Sequence, residues 1–256
     1  MGRAPILMAH GAFCGGWVFE TFATPFIEAG HPAIALDLPG HAPDAPASAV
    51  AGLSMSDYAQ AIADAASKLD EPPVLIGHSM GGLAAMLAAC QVETQGLILL
   101  APSPPWGVTG STMEEAISAV ALYALGPYWT QAIAPDETTL LRFCIDRLPR
   151  AERRSIYQRM RPESGRAIFE CLNWWADPFM STMVYPERIK APILALAGER
   201  DVIHPAQTVR ETARRLGAEI RVFPQMSHWL VAEPGWREIA DLCLDWLAEN
   251  ASRDAA

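Results

Sequence analysis

The clearest chemical signal in the chain is five residues long, Gly77-His78-Ser79-Met80-Gly81. The pattern is G-x-S-x-G, which can hold a serine hydroxyl on a sharp turn as a nucleophile. Gly and Ser are common residues, so roughly one chain in ten of this length holds the pattern by chance. Its setting makes it specific. Pro73–Gly77 is a short apolar run that reads as a strand, and Gly81–Cys90 reads as a helix of small residues. A serine between them must take a strained backbone conformation. Side chains at 77 and 81 would collide with the neighbouring strand and helix, so glycine is required at both positions. Gly82 extends the close approach. The start of the helix sets a positive dipole end beside any oxyanion formed there.

A serine hydroxyl needs a base, and the base needs an orienting carboxylate. For an elbow serine the order along the chain is serine, acid, histidine. Two histidines follow Ser79, His204 and His228. His228 comes just after the last strand-like run, where a loop can return it over Ser79, and is the expected base. His204 sits where the acid should be supplied and reads as a loop or rim residue. Gly198-Glu199-Arg200-Asp201 offers two carboxylates. Asp201 is the expected acid because the chain turns there, with Pro205 opening the next helix. Glu199 is expected to pair with Arg200 or face solvent. The oxyanion hole requires two N–H donors. One is that of Met80, after the nucleophile. The other is assigned to Ala12, with Phe13 as the weaker alternative, in the glycine-rich loop His10-Gly11-Ala12-Phe13-Cys14-Gly15-Gly16.

Plainer readings suit the other candidates. His10 should brace its loop by a side-chain hydrogen bond, and His78 should be buried packing. Asp37-Leu38-Pro39-Gly40-His41 reads as a turn, and Cys14 as a free buried thiol. Arg142 to Arg166 holds eight arginines against Asp146, Glu152 and Glu163. That excess could draw a substrate carboxylate, but a solvated helix face or a subunit contact is the plainer use, which leaves a homodimer open.

Positioning such residues takes alternating strands and helices. Pro5–Ala9, Ala33–Leu38, Pro73–Gly77 and Gly96–Ala101 read as strands. Helices are expected over Trp17–Ala29, from about Asp57 to Leu69 after a Ser54 or Ser56 cap, and over Gly81–Cys90. From Pro102 to about Lys190 helical segments appear without a convincing strand. Ala191–Ala197 (strand), Ala206–Leu216 (helix), Glu219–Phe223 (strand) and Trp236–Glu249 (helix) restore the alternation. The expected class is α/β, a mostly parallel sheet flanked by helices. Its core is 1–102 and 190–256, with a helical cap or lid, 103–189, inserted. Residues 102–190 hold 11 of the chain's 21 aromatics and equal numbers of acidic and basic residues. A neutral, aromatic insertion suits a lid over an apolar site. Phe13, Trp106, Trp129, Trp174, Trp175 and Trp229 are the candidate substrate-binding residues; the alternative is that the insertion's aromatics pack its own small core.

The 256 residues are 51% apolar and carry a formal charge of −10. A sizeable core is expected, and nucleic acid and anionic membrane surfaces are disfavoured as partners. The partner expected is a small-molecule substrate. The five cysteines are odd in number and widely spaced, with no C-x-x-C, so neither a zinc site nor a disulfide framework is expected. Reduced thiols, a short and weakly basic start, and no apolar run near the roughly 18 residues of a membrane span point to a cytoplasmic location.

These motifs together resemble the α/β-hydrolase superfamily over essentially the full chain. His10-Gly11-Ala12 with Trp17, Gly77-His78-Ser79-Met80-Gly81-Gly82, Gly198…Asp201…Pro205 and Ser227-His228 fall in that family's order. The His10-Gly11-Ala12 and Gly16-Trp17 segments resemble the branch of methylesterases, esterase relatives and hydroxynitrile lyases. The resemblance implies Ala12 as an oxyanion donor and hydrolysis of a carboxylic ester without metal or cofactor. Lyases of the branch carry a lysine beside the histidine and a hydroxyl residue near the oxyanion loop. Trp229 and Ala12 stand here instead, which disfavours cyanohydrin cleavage. Lactonase, amidase, thioesterase and C–C hydrolase chemistry use the same triad and stay open. The non-enzyme alternative is a small-molecule receptor on a hydrolase scaffold.

Overall fold

Four of the apolar runs become the centre of a six-stranded sheet in the computed structural model, which describes residues 3–109 and 126–254. The strands are β1 (Ile6–Ala9), β2 (Ala33–Leu36), β3 (Val74–His78), β4 (Gly96–Leu100), β7 (Ile193–Gly198) and β8 (Glu219–Phe223). All pair in parallel, in the order β2-β1-β3-β4-β7-β8. Strands β1, β3, β4 and β7 are buried throughout, as parallel strands covered on both faces must be. β2 and β8 are edges. β2 ends at Leu36, short of the Leu38 expected, and exposes Ile34, because only β1 pairs with it.

Helices α2 (Met55–Ala66), α3 (Met80–Ala89) and α6 (Ala206–Leu216) cover one face, where Leu7, Leu75, Leu97, Tyr58, Leu83 and Val209 share a core. Helices α1 (Thr24–Glu28) and α7 (Trp236–Asp254) cover the other, with Phe22, Phe26, Ile239 and Trp246 packed against Ile6, Ile76 and Ile98. Helix α3 is buried on every side, consistent with its uniformly small and apolar residues. Ser54 caps α2 through a reciprocal capping box with Asp57. The single helix expected over Trp17–Ala29 is instead a 3-10 turn, Gly16–Phe19, followed by α1. Pro25 lies in the first turn of α1; it has no N–H and cannot continue a helix begun earlier.

Between β4 and β7 the chain leaves the sheet. Helices α4 (Arg150–Arg159) and α5 (Gly165–Leu172) lie here with short 3-10 and π turns. No strand was expected, yet β5 (Ala132–Ile133) and β6 (Glu163–Ser164) form a two-residue antiparallel pair. Part of the expected insertion, 110–125, lies outside the described residues. Tyr128, Ile133 and Ile168 form a small local cluster. Leu140, Ile145, Leu148 and Met160 instead join the main core beside Phe19 and Trp229.

Strand order reverses direction on either side of β1: β2 lies to one side and β3 to the other. In a parallel sheet such a reversal opens a crevice at the carboxyl ends of the strands. The loop after β1 and the turn after β3 meet there.

Candidate active site

Ser79 joins β3 directly to α3, with φ 54° and ψ −124°. Such a conformation costs a side-chain-bearing residue about 1–3 kcal/mol and persists only where its surroundings enforce it. They do so here. The Ser79 N–H donates to Leu100 O at 3.0 Å, and Ser79 O accepts from Gly82 N and Ser103 N, both at 2.9 Å. A Cβ on Gly77 would stand 2.5 Å from Gly81 O and 2.6 Å from the Gly82 Cα. One on Gly81 would run into the carbonyls of Ala9 and His10. These are backbone atoms at the end of a central strand and cannot swing aside. Gly81→Ala should therefore cost about 3 kcal/mol or more, a fall of roughly 6–12 °C in Tm. A thermal melt like that of the wild type would contradict this packing.

His228 and Asp201 complete a line of hydrogen bonds. The Ser79 hydroxyl lies 3.0 Å from His228 Nε2, and His228 Nδ1 lies 2.8 Å from Asp201 Oδ2. An ionised carboxylate only accepts, so Nδ1 carries the proton and Nε2 of a neutral ring accepts from Ser79. Asp201 Oδ1 accepts from the N–H groups of Ile203 (2.8 Å) and His204 (2.9 Å). Burial opposes ionisation of Asp201, but the His228 ring and these donors outweigh it and hold the carboxyl below its usual pKa. Ser79 is only 7% exposed, and Asp201 and His228 are buried. Exclusion of water strengthens each of these interactions.

One carboxyl and one imidazole brace His228, and neither role is visible in the sequence. Glu233 accepts from the N–H groups of Ser227 and Trp229, both at 2.7 Å, and so fixes the residues on either side of His228. Burial raises the pKa of Glu233. His78 Nε2 donates to His228 O at 2.9 Å. Burial first, then the neighbouring His228, brings the His78 pKa down to about 3, so its ring is neutral. His78 is buried packing, as expected, and is also a tether for the His228 backbone. His204 is not a rim residue either. It is buried, its Nε2 is 2.9 Å from Ser103 Oγ, and its ring lies 5.2 Å from that of His228. The tight turn at Asp201 forces this, since the His204 N–H binds the Asp201 carboxylate. Glu199 faces solvent, 3.9 Å from Arg210 rather than paired to Arg200.

The loop after β1 lies against the serine: a Cβ on Gly11 would stand 2.9 Å from the Ser79 Cβ. His10 Nδ1 donates to Gly11 O at 2.8 Å, and His10 Nε2 accepts from Leu38 N at 3.1 Å. Asp37 accepts from Gly16 N at 2.8 Å. Met80 is the first residue of α3, where a helix leaves its N–H without an intrahelical acceptor. Among the described residues the Ala12 N–H has no protein acceptor either. The Phe13 N–H is committed to Glu163 Oε2 at 3.2 Å, which removes Phe13 as the alternative donor.

The aromatic candidates separate. Phe13 is part-buried and bridges the main core and the Tyr128 cluster. Trp106 packs edge-on against Trp174 at 5.2 Å, and Trp129 packs against Phe169 at 5.6 Å. Trp175 is 68% exposed. Among the described residues no ring contact joins these four indoles to His228. Trp229, a candidate substrate-binding residue, is buried in the core, edge-on to His78 at 5.6 Å and beside Trp17 at 6.4 Å. Within the basic stretch, Arg153, Arg159, Arg161 and Arg166 are spent on internal contacts, with Asp146 O, Glu20, Pro43 O and Glu170 among their partners.

Comparison with known proteins agrees with this architecture. A pimeloyl-[acyl-carrier protein] methyl ester esterase of Neisseria meningitidis serogroup A is 27% identical over 231 residues, spanning 87% of this chain and 70% of that one. Tomato methylketone synthase I, solved with 2-tridecanone, superposes with a TM-score of 0.76 at 18% identity, covering 98% of this chain and 100% of that one. The methylesterase MES16 from Arabidopsis gives 0.74 at 17% identity, covering 96% and 99%. No described helix is long and apolar enough to cross a membrane. The Alpha/beta hydrolase family matches residues 6–242, nearly the whole of the sheet and the loops that converge on Ser79, and the chain belongs to that family.

Proposed function

We propose that this chain is a serine hydrolase that cleaves carboxylic esters through an acyl-enzyme. The observation that carries the reading is the run of hydrogen bonds from Ser79 Oγ to His228 at 3.0 Å and on to Asp201 at 2.8 Å, starting from a strained serine. In the first half-reaction Ser79 Oγ attacks the ester carbonyl while His228 Nε2 takes its proton. Asp201 stabilises the imidazolium. The Met80 and Ala12 N–H groups receive the charge on the carbonyl oxygen. The tetrahedral intermediate collapses, the C–O bond to the alcohol breaks, and His228 returns the proton to the leaving oxygen. Water then attacks the acyl-enzyme by the same route and releases the acid and Ser79.

The surroundings and the relatives support a substrate class. The loop that would face the acyl group carries Phe13, part-buried among apolar residues, and favours an apolar or aromatic acyl group. Esters of small alcohols come first, because the curated relatives are named as methyl ester esterases. Five cysteines, all free thiols, fit a reducing, cytoplasmic setting. A panel of methyl and p-nitrophenyl esters, lactones and amides tests the reading by direct turnover. Acetyl to butyryl and aromatic esters should be hydrolysed at least about 100-fold faster than matched amides, whose leaving groups are far poorer. Stoichiometric binding across the panel without turnover would favour a receptor instead.

A further inference from the structure

We propose that Glu163, contributed from outside the sheet, is the positioning residue of the oxyanion loop; this rests on the acyl-enzyme reading above. Its carboxylate is fully buried and gathers donors from four places. Oε1 accepts from Tyr58 OH at 2.6 Å and from Ser164 N at 2.7 Å. Oε2 accepts from the Phe13 N–H at 3.2 Å and from His41 Nε2 at 3.1 Å. His41 Nδ1 faces Pro39 O at 3.1 Å. Both ring nitrogens of His41 lie at oxygens. Burial opposes charge on both groups, but their mutual attraction and hydrogen bonds outweigh it, raising the His41 pKa and lowering that of Glu163, which favours a buried ion pair.

The other end of the loop peptide is held as well. Gly11 O accepts from His10 Nδ1. In a trans peptide the N–H points opposite to the C=O, so this bond turns the Ala12 N–H away from His10. The next peptide is fixed by Phe13 N–H to Glu163 Oε2, and the one after by Arg161 N–H to Phe13 O at 2.8 Å. Phe13 is a non-glycine residue at φ 65°, a conformation that needs such support. With His10 on one side and Glu163 on the other, the direction of the Ala12 N–H is set. An ion pair is a costly way to hold one backbone N–H inside a protein. Its use here ties the aim of that donor to the seating of the segment between β4 and β7.

Glu163→Gln keeps the shape and removes the charge. Four donors converge on two oxygens, and an amide can accept on only one of them; with its oxygen on the side of Tyr58 and Ser164, its NH₂ faces the Phe13 N–H, which loses its partner. Because a missing oxyanion donor costs about 10²–10³ in kcat, a misdirected one should cost about 10–100-fold. KM should stay within about twofold, and phosphonylation of Ser79 by a fluorophosphonate, which also places an oxygen in this hole, should slow by the same factor as kcat. Tyr58→Phe removes a donor from the other oxygen and leaves Phe13 held, so its kcat should stay within about twofold of wild type even if Tm falls. A folded Glu163→Gln protein whose Phe13 N–H has lost its exchange protection but whose kcat is wild type, or a Tyr58→Phe protein impaired as much as Glu163→Gln, overturns the proposal. If Glu163→Gln does not fold, or still protects the Phe13 N–H, amide exchange in the wild type decides. Strong protection of the Phe13 N–H supports it, and exchange at the rate of a solvated loop amide overturns it. Ester turnover by wild type that survives in Ser79→Ala would sink the acyl-enzyme reading instead. The phosphonylation rates report on the loop whether or not an ester substrate is found.

Discussion

Ser79→Ala is expected to lower kcat/KM for an activated ester by about 10⁵–10⁶-fold, with KM little changed where residual turnover can be measured. Only the hydroxyl is lost. The Cβ remains, so the strain at φ 54° remains with it. The hydrogen bonds that hold the turn, from Ser79 N to Leu100 O and from Gly82 N and Ser103 N to Ser79 O, involve backbone alone. Stability should therefore stay within about 0.5 kcal/mol of wild type, and the lost activity cannot be ascribed to unfolding. Steady-state kinetics on p-nitrophenyl acetate, read beside a thermal melt, checks both halves. Equal rates in the two proteins would end the case for Ser79 as nucleophile.

Asp201→Asn is expected to cost about 10⁴-fold in kcat, again in a folded protein. The surroundings of the carboxylate dictate why. Oδ1 faces two backbone N–H groups, those of Ile203 and His204, so the oxygen of an asparagine must occupy that place. Its NH₂ group then faces His228 Nδ1, which has to become the acceptor. The proton moves to Nε2, and the ring can no longer take one from Ser79. The geometry survives while the tautomer is wrong. A crystal structure of the variant with an undisturbed His228, together with the loss in kcat, is the expected pair of results. A kcat within tenfold of wild type would mean that Asp201 does not set the tautomer.

What the sequence discloses and what it hides divide along one line, the distance over which a signal acts. Ser79, Asp201 and His228 were singled out from their immediate neighbours: glycines around a serine, a proline after an aspartate, a histidine after the last strand. The structure brings those three within hydrogen-bond reach of one another. The buried strands were equally legible, because continuous apolar runs are a local property. Glu163 was not, since Tyr58 and His41 lie 105 and 122 residues away and no periodicity links them. It was counted only as one acidic residue in a basic stretch. Glu233 escaped for a different reason. It lies five residues beyond His228, but a loop has no repeat from which its carboxylate could be placed. Trp229 is a substrate-binding candidate by residue type alone, which says nothing of side-chain direction, and the fold sends the indole into the core. The segment Trp17–Ala29 has helical apolar spacing throughout, yet it divides before α1, where Pro25 lacks the N–H a continuous helix needs.

Ser79 Oγ is the proposed nucleophile, aimed by His228 and Asp201. The most direct measurement is covalent labelling with a fluorophosphonate, followed by digestion and mass mapping of the adduct. One equivalent on the peptide containing Ser79, absent from Ser79→Ala and formed far more slowly by Asp201→Asn, is the result this account predicts. An adduct on another residue, or ester turnover that continues with Ser79 unlabelled, would contradict it.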